Sequence, residues 1–366
     1  MSQLKLGVMV LYLNNQRQIE EKAYIRRLLK ESKRLSIDAF LFTPEDVDHE
    51  RRRIHAIRYD PKQGRWVRAW TDFPDIIFDR CRFQATTRFL RLKEFRSRYP
   101  HLHYLNRPLA NKWRIHELFS QNPLIAPHLP DTKLYKNGRG LLTFIAKHRV
   151  VFLKPVNGTG GRGILRIEKL NERMYQIRGR DAGRRIIPEQ TLSVRGLLRK
   201  ADAWVGQKRF LIQQGIDIEL DNGRVHDFRL LIQKTGKGTW EVTGCAGRIG
   251  AARSVTSNLH GGGEAIETEK LLRMRFDDDA AITRIRSTLE TLARDIVDEL
   301  ERSYGRLCEL ALDLAVDRSG DVWLIEINPK PGRNIFLQIQ DYDAYRTAVT
   351  RPLEYALWLH SKKFKA

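Results

Sequence analysis

The chain has 366 residues, 42% of them hydrophobic, so it holds enough apolar material for an ample core and has room for two or three domains. A formal charge of +22 is large for a soluble protein and calls for a polyanionic partner or an anionic substrate. Cys81, Cys245 and Cys308 fit no disulfide or metal-ligand spacing and no apolar run is long enough to span a membrane, which excludes a disulfide scaffold and a membrane partner and points to a reducing cytoplasm.

Residues 4 to 13 form an apolar stretch that reads as a first strand, closed by a turn at Asn14-Asn15. Arg17 to Leu35 carries Ile19, Ala23, Ile25, Leu28 and Leu29 near one face, which predicts an amphipathic helix, and Ile37 to Thr43 and Pro74 to Asp79 read as further buried strands. Strand, helix, strand implies a small α/β domain, ending near Asn106-Arg107-Pro108 where the pattern is interrupted. Arginine clusters at residues 51–53, 88–98 and 178–185 are scattered and lack a helix-turn-helix, zinc-finger or RNP pattern. They predict a generally basic surface, and nucleic acid is not expected as a partner. The ending Lys362-Lys363-Phe364-Lys365 reads as a solvated tail.

The remainder is mixed. Val150 to Lys154 and Ile164 to Glu168 are strand-like and flank a loop with Gly158, Gly160, Gly161 and Gly163. The spacing matches the dinucleotide fingerprint, but that motif needs a helix after the loop, and a second strand follows here. Strand, glycine loop, strand predicts a hairpin lid whose backbone N–H groups approach phosphate oxygens, with Lys154 as a point charge beside it. A protein kinase also joins a glycine loop to a lysine, but there the lysine follows the loop. Lys169 to Lys208 is arginine-rich and reads as loops without an interpretable motif. Phe210 to Gln214, Val225 to Gln233 and Trp240 to Ile249 are strand-like, with a turn at Asn222-Gly223. Asp227 and Arg229 share a face, Arg248 follows on the next strand, and residues 257–263 supply a second glycine-rich loop, a grouping that suggests an anion-binding wall. A long helix is expected from a cap at Asp278 or Asp279 to a stop at Gly305, burying Ile282, Ile285, Leu289, Leu292, Ile296 and Leu300.

The most informative stretch comes last. Glu309 to Val316 and Val322 to Asn328 read as a hairpin, and a two-residue Ser319-Gly320 turn would pair Asp313 with Glu326 and Ala311 with Asn328. Like charges about 4 Å apart cost on the order of 4 kcal/mol at a surface-like dielectric, so two facing carboxylates imply a cation. Glu326 and Asn328 share a face, with Trp323, Ile325 and Ile327 expected on the other. Two carboxylates and an amide are hard oxygen ligands suited to Mg²⁺.

This order of parts resembles the ATP-grasp superfamily: Lys112 in NKWRIHELF, Lys154 before the glycine lid, the Gln213 to Ile216 connector, the Asp227 and Arg229 strand, and Asp313 with Glu326 and Asn328. More narrowly, WVRAWTDFPDIIFDR, SNLHGGG and EINPKPGR resemble the spore-coat-associated YheC/YheD-type branch. The fold class implied is α/β and α+β: an N-terminal α/β domain over 1–106, then an ATP-grasp domain over 107–366. Its glycine-lid subdomain would cover about 140–212, its C-terminal subdomain about 213–340, and a helix and tail 341–366.

By the same resemblance, Lys112, Lys154 and the lid glycines would bind ATP phosphates. Gln213, Gln214, Gly215 and Ile216 would meet adenine, and Asp217 or Glu219 would reach ribose. Asp313, Glu326 and Asn328 would hold Mg²⁺ or Mn²⁺. Arg229, Arg248, Asn258 and Arg333 would face an acyl phosphate and the acceptor. Gly215 departs from the family pattern, in which a larger residue is usual. The implied activity is an ATP-dependent ligation of a carboxylate to an amine, thiol or hydroxyl, on small-molecule or peptide substrates that can be anionic, in a cytoplasmic or spore-associated protein. Two rival readings stand beside it, a nucleotide-binding structural protein of the spore coat without turnover and a polyanion-binding protein.

Overall fold

The computed structural model describes residues 3–84, 86–158, 160–259 and 262–363, with Lys363 described in its backbone alone. His260 and Gly261 of the second glycine loop, and Phe364 and Lys365 of the basic tail, lie outside the described residues.

Three sheets organise the strands. In the first, Lys5–Met9 runs parallel to Asp38–Phe42 on one side and to Ile76–Asp79 on the other. Leu6 and Val8 pack beneath the helix Lys22–Arg34, while Met9, Phe40 and Phe42 meet Leu92 and Phe95 of the helix Thr87–Arg98 on the opposite face. Burial on both faces explains why this strand reads as an unbroken apolar run. The helix begins at Lys22 rather than at Arg17, because Tyr12 and Ile19 form an antiparallel bridge and Glu21 adopts a φ of 52°. A hairpin of Arg53–Asp60 with Arg65–Asp72, not anticipated from the sequence, extends the sheet edge.

The second sheet has the strand order Ile186–Ser193, Met174–Arg180, Ile164–Lys169, Val150–Pro155, Phe210–Gln214, Thr132–Leu134. One face is covered by the helices Gly138–His148 and Val194–Val205 through Leu141, Phe144, Ile145, Leu197 and Ala201. The expected loops over Lys169 to Lys208 are therefore two strands and a helix. Ile186–Ser193 is an edge strand with no buried residue, so its polar, Pro-containing sequence carries little apolar alternation to read.

The third sheet runs Glu264–Glu267, Trp240–Ile249, His226–Lys234, Glu309–Val316, Val322–Asn328. The helix Asp279–Tyr304 lies on one face, with all six anticipated residues buried, Asp278 accepting from the N–H groups of Ala280 and Ala281, and Gly305 closing it at a φ of 78°. The other face is covered by Asn334–Gln338 and by the C-terminal helix Tyr342–Lys363. That last helix also places Val349, Leu353, Tyr355 and Ala356 in the core beneath the first sheet, beside Leu4 and Leu6.

A buried ionic network joins the first and third sheets. Glu309 accepts from Arg80 Nη1 at 2.7 Å, from Gln233 Nε2 at 3.0 Å and from Arg333. Arg80 also reaches Glu21 at 2.7 Å and the Pro331 carbonyl at 2.8 Å, and Asn106 accepts from the N–H groups of Cys308 and Glu309.

Candidate functional site

The acidic hairpin pairs Asp313 with Glu326 and Ala311 with Asn328, the register the sequence suggests, but by a different route. The connection is the five residues 317–321 rather than a two-residue turn, with Val316 opposite Val322, and a bulge after Asp313 restores the register. The bulge also changes which side chains face the core. Val322, Leu324 and Ile327 join the core under the helix Asp279–Tyr304, Leu324 and Ile327 reaching the cleft as well, whereas Ile325 lines the cleft without joining that core and Trp323 bonds Asp317 through its indole N–H at 2.8 Å, correcting the expected grouping of Trp323 and Ile325 with Ile327.

A cleft of about 230 Å³ opens between the second and third sheets, far larger than the ~30 Å³ share of one water molecule. Lys112, Lys154, Gly158, Gly161, Gln213, Gln214, Ile216, Arg248, Asn258, Asp313 and Glu326 all line it. Sequence reasoning missed Phe152, Leu324 and Ile325, which add apolar wall. Phe152 was within reach, because it lies two residues before Lys154 and so on the same strand face.

Lys112 opens the helix Lys112–Phe119, whose N-cap Asn111 accepts from the N–H groups of Trp113 and Arg114, and its ammonium lies 3.2 Å from Glu326. Lys154 donates to Gln213 Oε1 at 2.6 Å, and Gln213 in turn donates to Thr132 at 3.1 Å, so Gln213 serves to orient this lysine. Burial, reinforced by the nearby positive charge of Lys112, pulls the Lys154 ammonium down to about 8. A lysine that binds phosphate only when charged gives a pH dependence of definite sign. Its charged fraction falls from about nine-tenths at pH 7 to about one-tenth at pH 9, so were Lys154 to hold a nucleotide phosphate, affinity for that nucleotide would weaken about tenfold over the interval in isothermal titration. Lys154→Arg, charged throughout, is expected to remove that slope.

Asp313 is nearly fully buried. Burial alone would raise its carboxyl, but Arg229 and Arg248 hold it below the usual carboxylate range. Arg229 Nε reaches Asp313 at 2.5 Å, and Arg248 bridges Asp227 at 2.5 Å and Asp313 at 3.0 Å. Asn328 donates to Asp313 at 3.3 Å. The opposed carboxylates, with the amide beside them, form an all-oxygen donor set that fits a hard divalent cation, each now facing a side-chain cation instead.

Other predicted residues are not brought to the cleft lining. Arg229 acts behind Asp313, and Asp217 pairs with Arg318 at 2.8 Å. Glu219 pairs with Arg178 at 2.6 Å. Arg333 is turned away and buried in the network with Glu309, donating to the carbonyls of Ala348 and Pro331, which corrects its expected place at the acceptor. Gly160 and Gly163 sit in the lid at φ values of 67° and 68°. Gly215 has a steric reason for departing from the larger residue, since a Cβ there would lie 2.5 Å from Val150 Cγ1 while its N–H donates to the Val150 carbonyl at 2.9 Å. The three thiols carry no nucleophile. Burial keeps Cys81 and Cys308 protonated and pushes Cys245 up to about 11.

Comparison with known proteins places the chain among relatives of shared sequence and fold. The chain is 27% identical over 350 residues to the endospore coat-associated protein YheC of Bacillus subtilis (strain 168), covering 94% of each chain. It is 27% identical over 330 residues to the endospore coat-associated protein YheD of the same organism, covering 88% of this chain and 71% of that one. Among solved structures, the D-cycloserine synthetase DcsG superposes with a TM-score of 0.55 at 13% identity, covering 98% of this chain and 99% of the other, a likeness of fold. No helix among the described residues is long and apolar enough to cross a membrane. A family model described as YheC/D-like ATP-grasp matches residues 101–359, well over half the sequence, and the chain therefore belongs to the YheC/D-like ATP-grasp family.

Proposed function

We propose that the protein is an ATP- and Mg²⁺-dependent ligase that joins a carboxylate to an amine through an acyl phosphate. The observation that carries this reading is the convergence, in one cleft, of Lys112, Lys154, the glycine lid and the Asp313–Glu326 pair. In this reading residues 107–366 form the catalytic domain, and its C-terminal helix also covers one face of the N-terminal domain, residues 1–106. Phe152, Ile216, Leu324 and Ile325 supply apolar surface for a planar base, and Lys112, Lys154 and the lid backbone take the phosphates. Asp313, Glu326 and Asn328 would hold Mg²⁺, which supplies positive charge beside the transferring phosphoryl group.

A substrate carboxylate oxygen attacks the γ-phosphorus and the bond to the β,γ-bridging oxygen breaks, giving the acyl phosphate and ADP. An amine then attacks the carbonyl carbon, phosphate leaves, and the ammonium proton is lost to solvent. No protein nucleophile is required. The chain's own share is to place charge, and Arg248, buried in the cleft wall, would stabilise the oxyanion of the second step.

ADP release in the presence of paired carboxylates and amines tests the reading directly. Arg248→Ala is expected to lower kcat by a hundredfold or more while the ATP dissociation constant stays within a few-fold. Arg248→Lys, which keeps charge beside Asp227 and Asp313, guards against a loss of folding. Equal losses in kcat and ATP affinity would remove Arg248 from the chemical step. The endospore-coat association of YheC and YheD favours a second reading, a coat-associated protein that binds nucleotide without turnover. ATP binding with no ADP release across such a screen would select it.

A further inference from the structure

Four arginines are nearly completely buried among the described residues: Arg80, Arg180, Arg248 and Arg333. Three of them meet carboxylates, Arg80 and Arg333 at Glu309 and Arg248 at Asp227 and Asp313. Arg180 has no ion pair among the described residues. Its Nη1 makes one long hydrogen bond to Thr256 Oγ1 at 3.4 Å, and its Nε is buried without a partner. A desolvated guanidinium without a counter-charge is costly, and such sites concentrate where a ligand supplies the missing charge.

Arg180 is not isolated. It ends the strand Met174–Arg180, and the tight turn that follows carries Arg184 at a φ of 71°. Arg184 lies against the lid, its Nη2 2.9 Å from where a Cβ on Gly160 would sit, and its Nε is also buried without a partner. Burial, with Arg162 and Arg180 nearby, pulls the Arg184 guanidinium below its ordinary value, so the fold holds three like charges together. The acid of the same turn, Asp181, accepts from the Arg185 N–H at 2.8 Å. Arg162 and Thr256 line the cleft, so the cluster borders the cavity where the lid meets the 254–258 loop.

The cluster is distinct from the lysines assigned to the nucleotide. The strand of Arg180 is two removed from that of Lys154, about 10 Å across the sheet. We propose that Arg162, Arg180 and Arg184 form a recognition site for a multiply charged oxyanion carried by a substrate of the ligase, a carboxylate- or phosphate-bearing group read by guanidinium forks at the lid end of the cleft. This rests on the ligase reading and narrows it to an acidic substrate.

The test uses the full chain saturated with Mg²⁺ and the non-hydrolysable analogue AMP-PNP, titrated calorimetrically with a triglutamate peptide and, separately, with inorganic phosphate. One of these probes is expected to bind the loaded wild type. Its affinity should fall at least tenfold in Arg180→Met and in the less buried Arg184→Gln, with AMP-PNP affinity unchanged within twofold. Binding of triglutamate assigns the site to carboxylates, and binding of phosphate alone assigns it to a phosphoryl group. Failure of both probes to bind would overturn the proposal, as would an AMP-PNP affinity that falls in step with that of the probe, since the arginines would then serve the nucleotide. Failure of wild type to bind AMP-PNP would instead count against the nucleotide reading, and the same titrations on the unloaded chain would then decide the arginine site.

Discussion

Glu326→Ala is expected to abolish the Mg²⁺-dependent part of the stabilisation that ATP gives the wild-type protein. The substitution isolates the metal contribution because the Glu326 side chain is 22% exposed and that of its partner Lys112 30%, a solvent-reached ion pair whose loss costs about 0–1 kcal/mol. Ligand at 100 times its dissociation constant adds about 2.7 kcal/mol, an effect readily seen as a rise in melting temperature. The measurement is a thermal-shift titration of wild type and Glu326→Ala with ATP, with and without Mg²⁺. An undiminished Mg²⁺-dependent shift in the variant would remove Glu326 from the metal site. Asp313→Asn is a poorer probe, because it weakens the compensation of Arg229 and Arg248 and so mixes a folding defect with a binding one.

Glu309→Ala is expected to destabilise the fold by about 3–5 kcal/mol, a large share of the ~5–15 kcal/mol typical of a whole domain. Glu309 is fully buried and answers two buried guanidiniums at once. With it gone, Arg80 keeps Glu21 and the Pro331 carbonyl, while Arg333 keeps two carbonyls and the Tyr24 ring, 4.1 Å from its guanidinium carbon. Neither compensation restores the lost charge. Urea unfolding read by fluorescence gives the difference, and Glu309→Gln, which keeps the shape and one acceptor, should fall between wild type and Ala. A loss under about 1 kcal/mol in the Ala variant would mean that water or side-chain movement relieves the network.

The parts of the site that could be read from the sequence are those in which chemistry and periodicity coincide. Asp313 and Glu326 stand out because carboxylates interrupt apolar strands, and Lys154 and the lid because lysine, glycines and two strands lie within one short segment. The bulge after Asp313 was hidden because a longer loop and an extra strand residue offset each other in the register. The hairpin of Arg53–Asp60 with Arg65–Asp72 escaped because its second strand is mostly solvated at the sheet edge, so arginines take the places an apolar alternation would mark. Arg333 was misread for a different reason. Its position after the acidic strand matches a substrate contact, and only the approach of Arg80 and Glu309 from distant segments turns it into a buried structural cation. Gly215 shows the converse, since the neighbour that excludes a side chain, Val150, is 65 residues away.

The C-terminal helix Tyr342–Lys363 sets the order in which this chain can be completed. The first sheet precedes the other two in the chain, but one of its faces is finished by Val349, Leu353 and Ala356, which follow every strand of the second and third sheets. A ribosome-bound chain must therefore carry Leu4, Leu6 and Val8 with part of their cover missing until the helix Tyr342–Lys363 has emerged. The N-terminal region is thus a late finisher despite its early start, and a nascent chain stopped before residue 342 would present that apolar face to chaperones rather than a closed core.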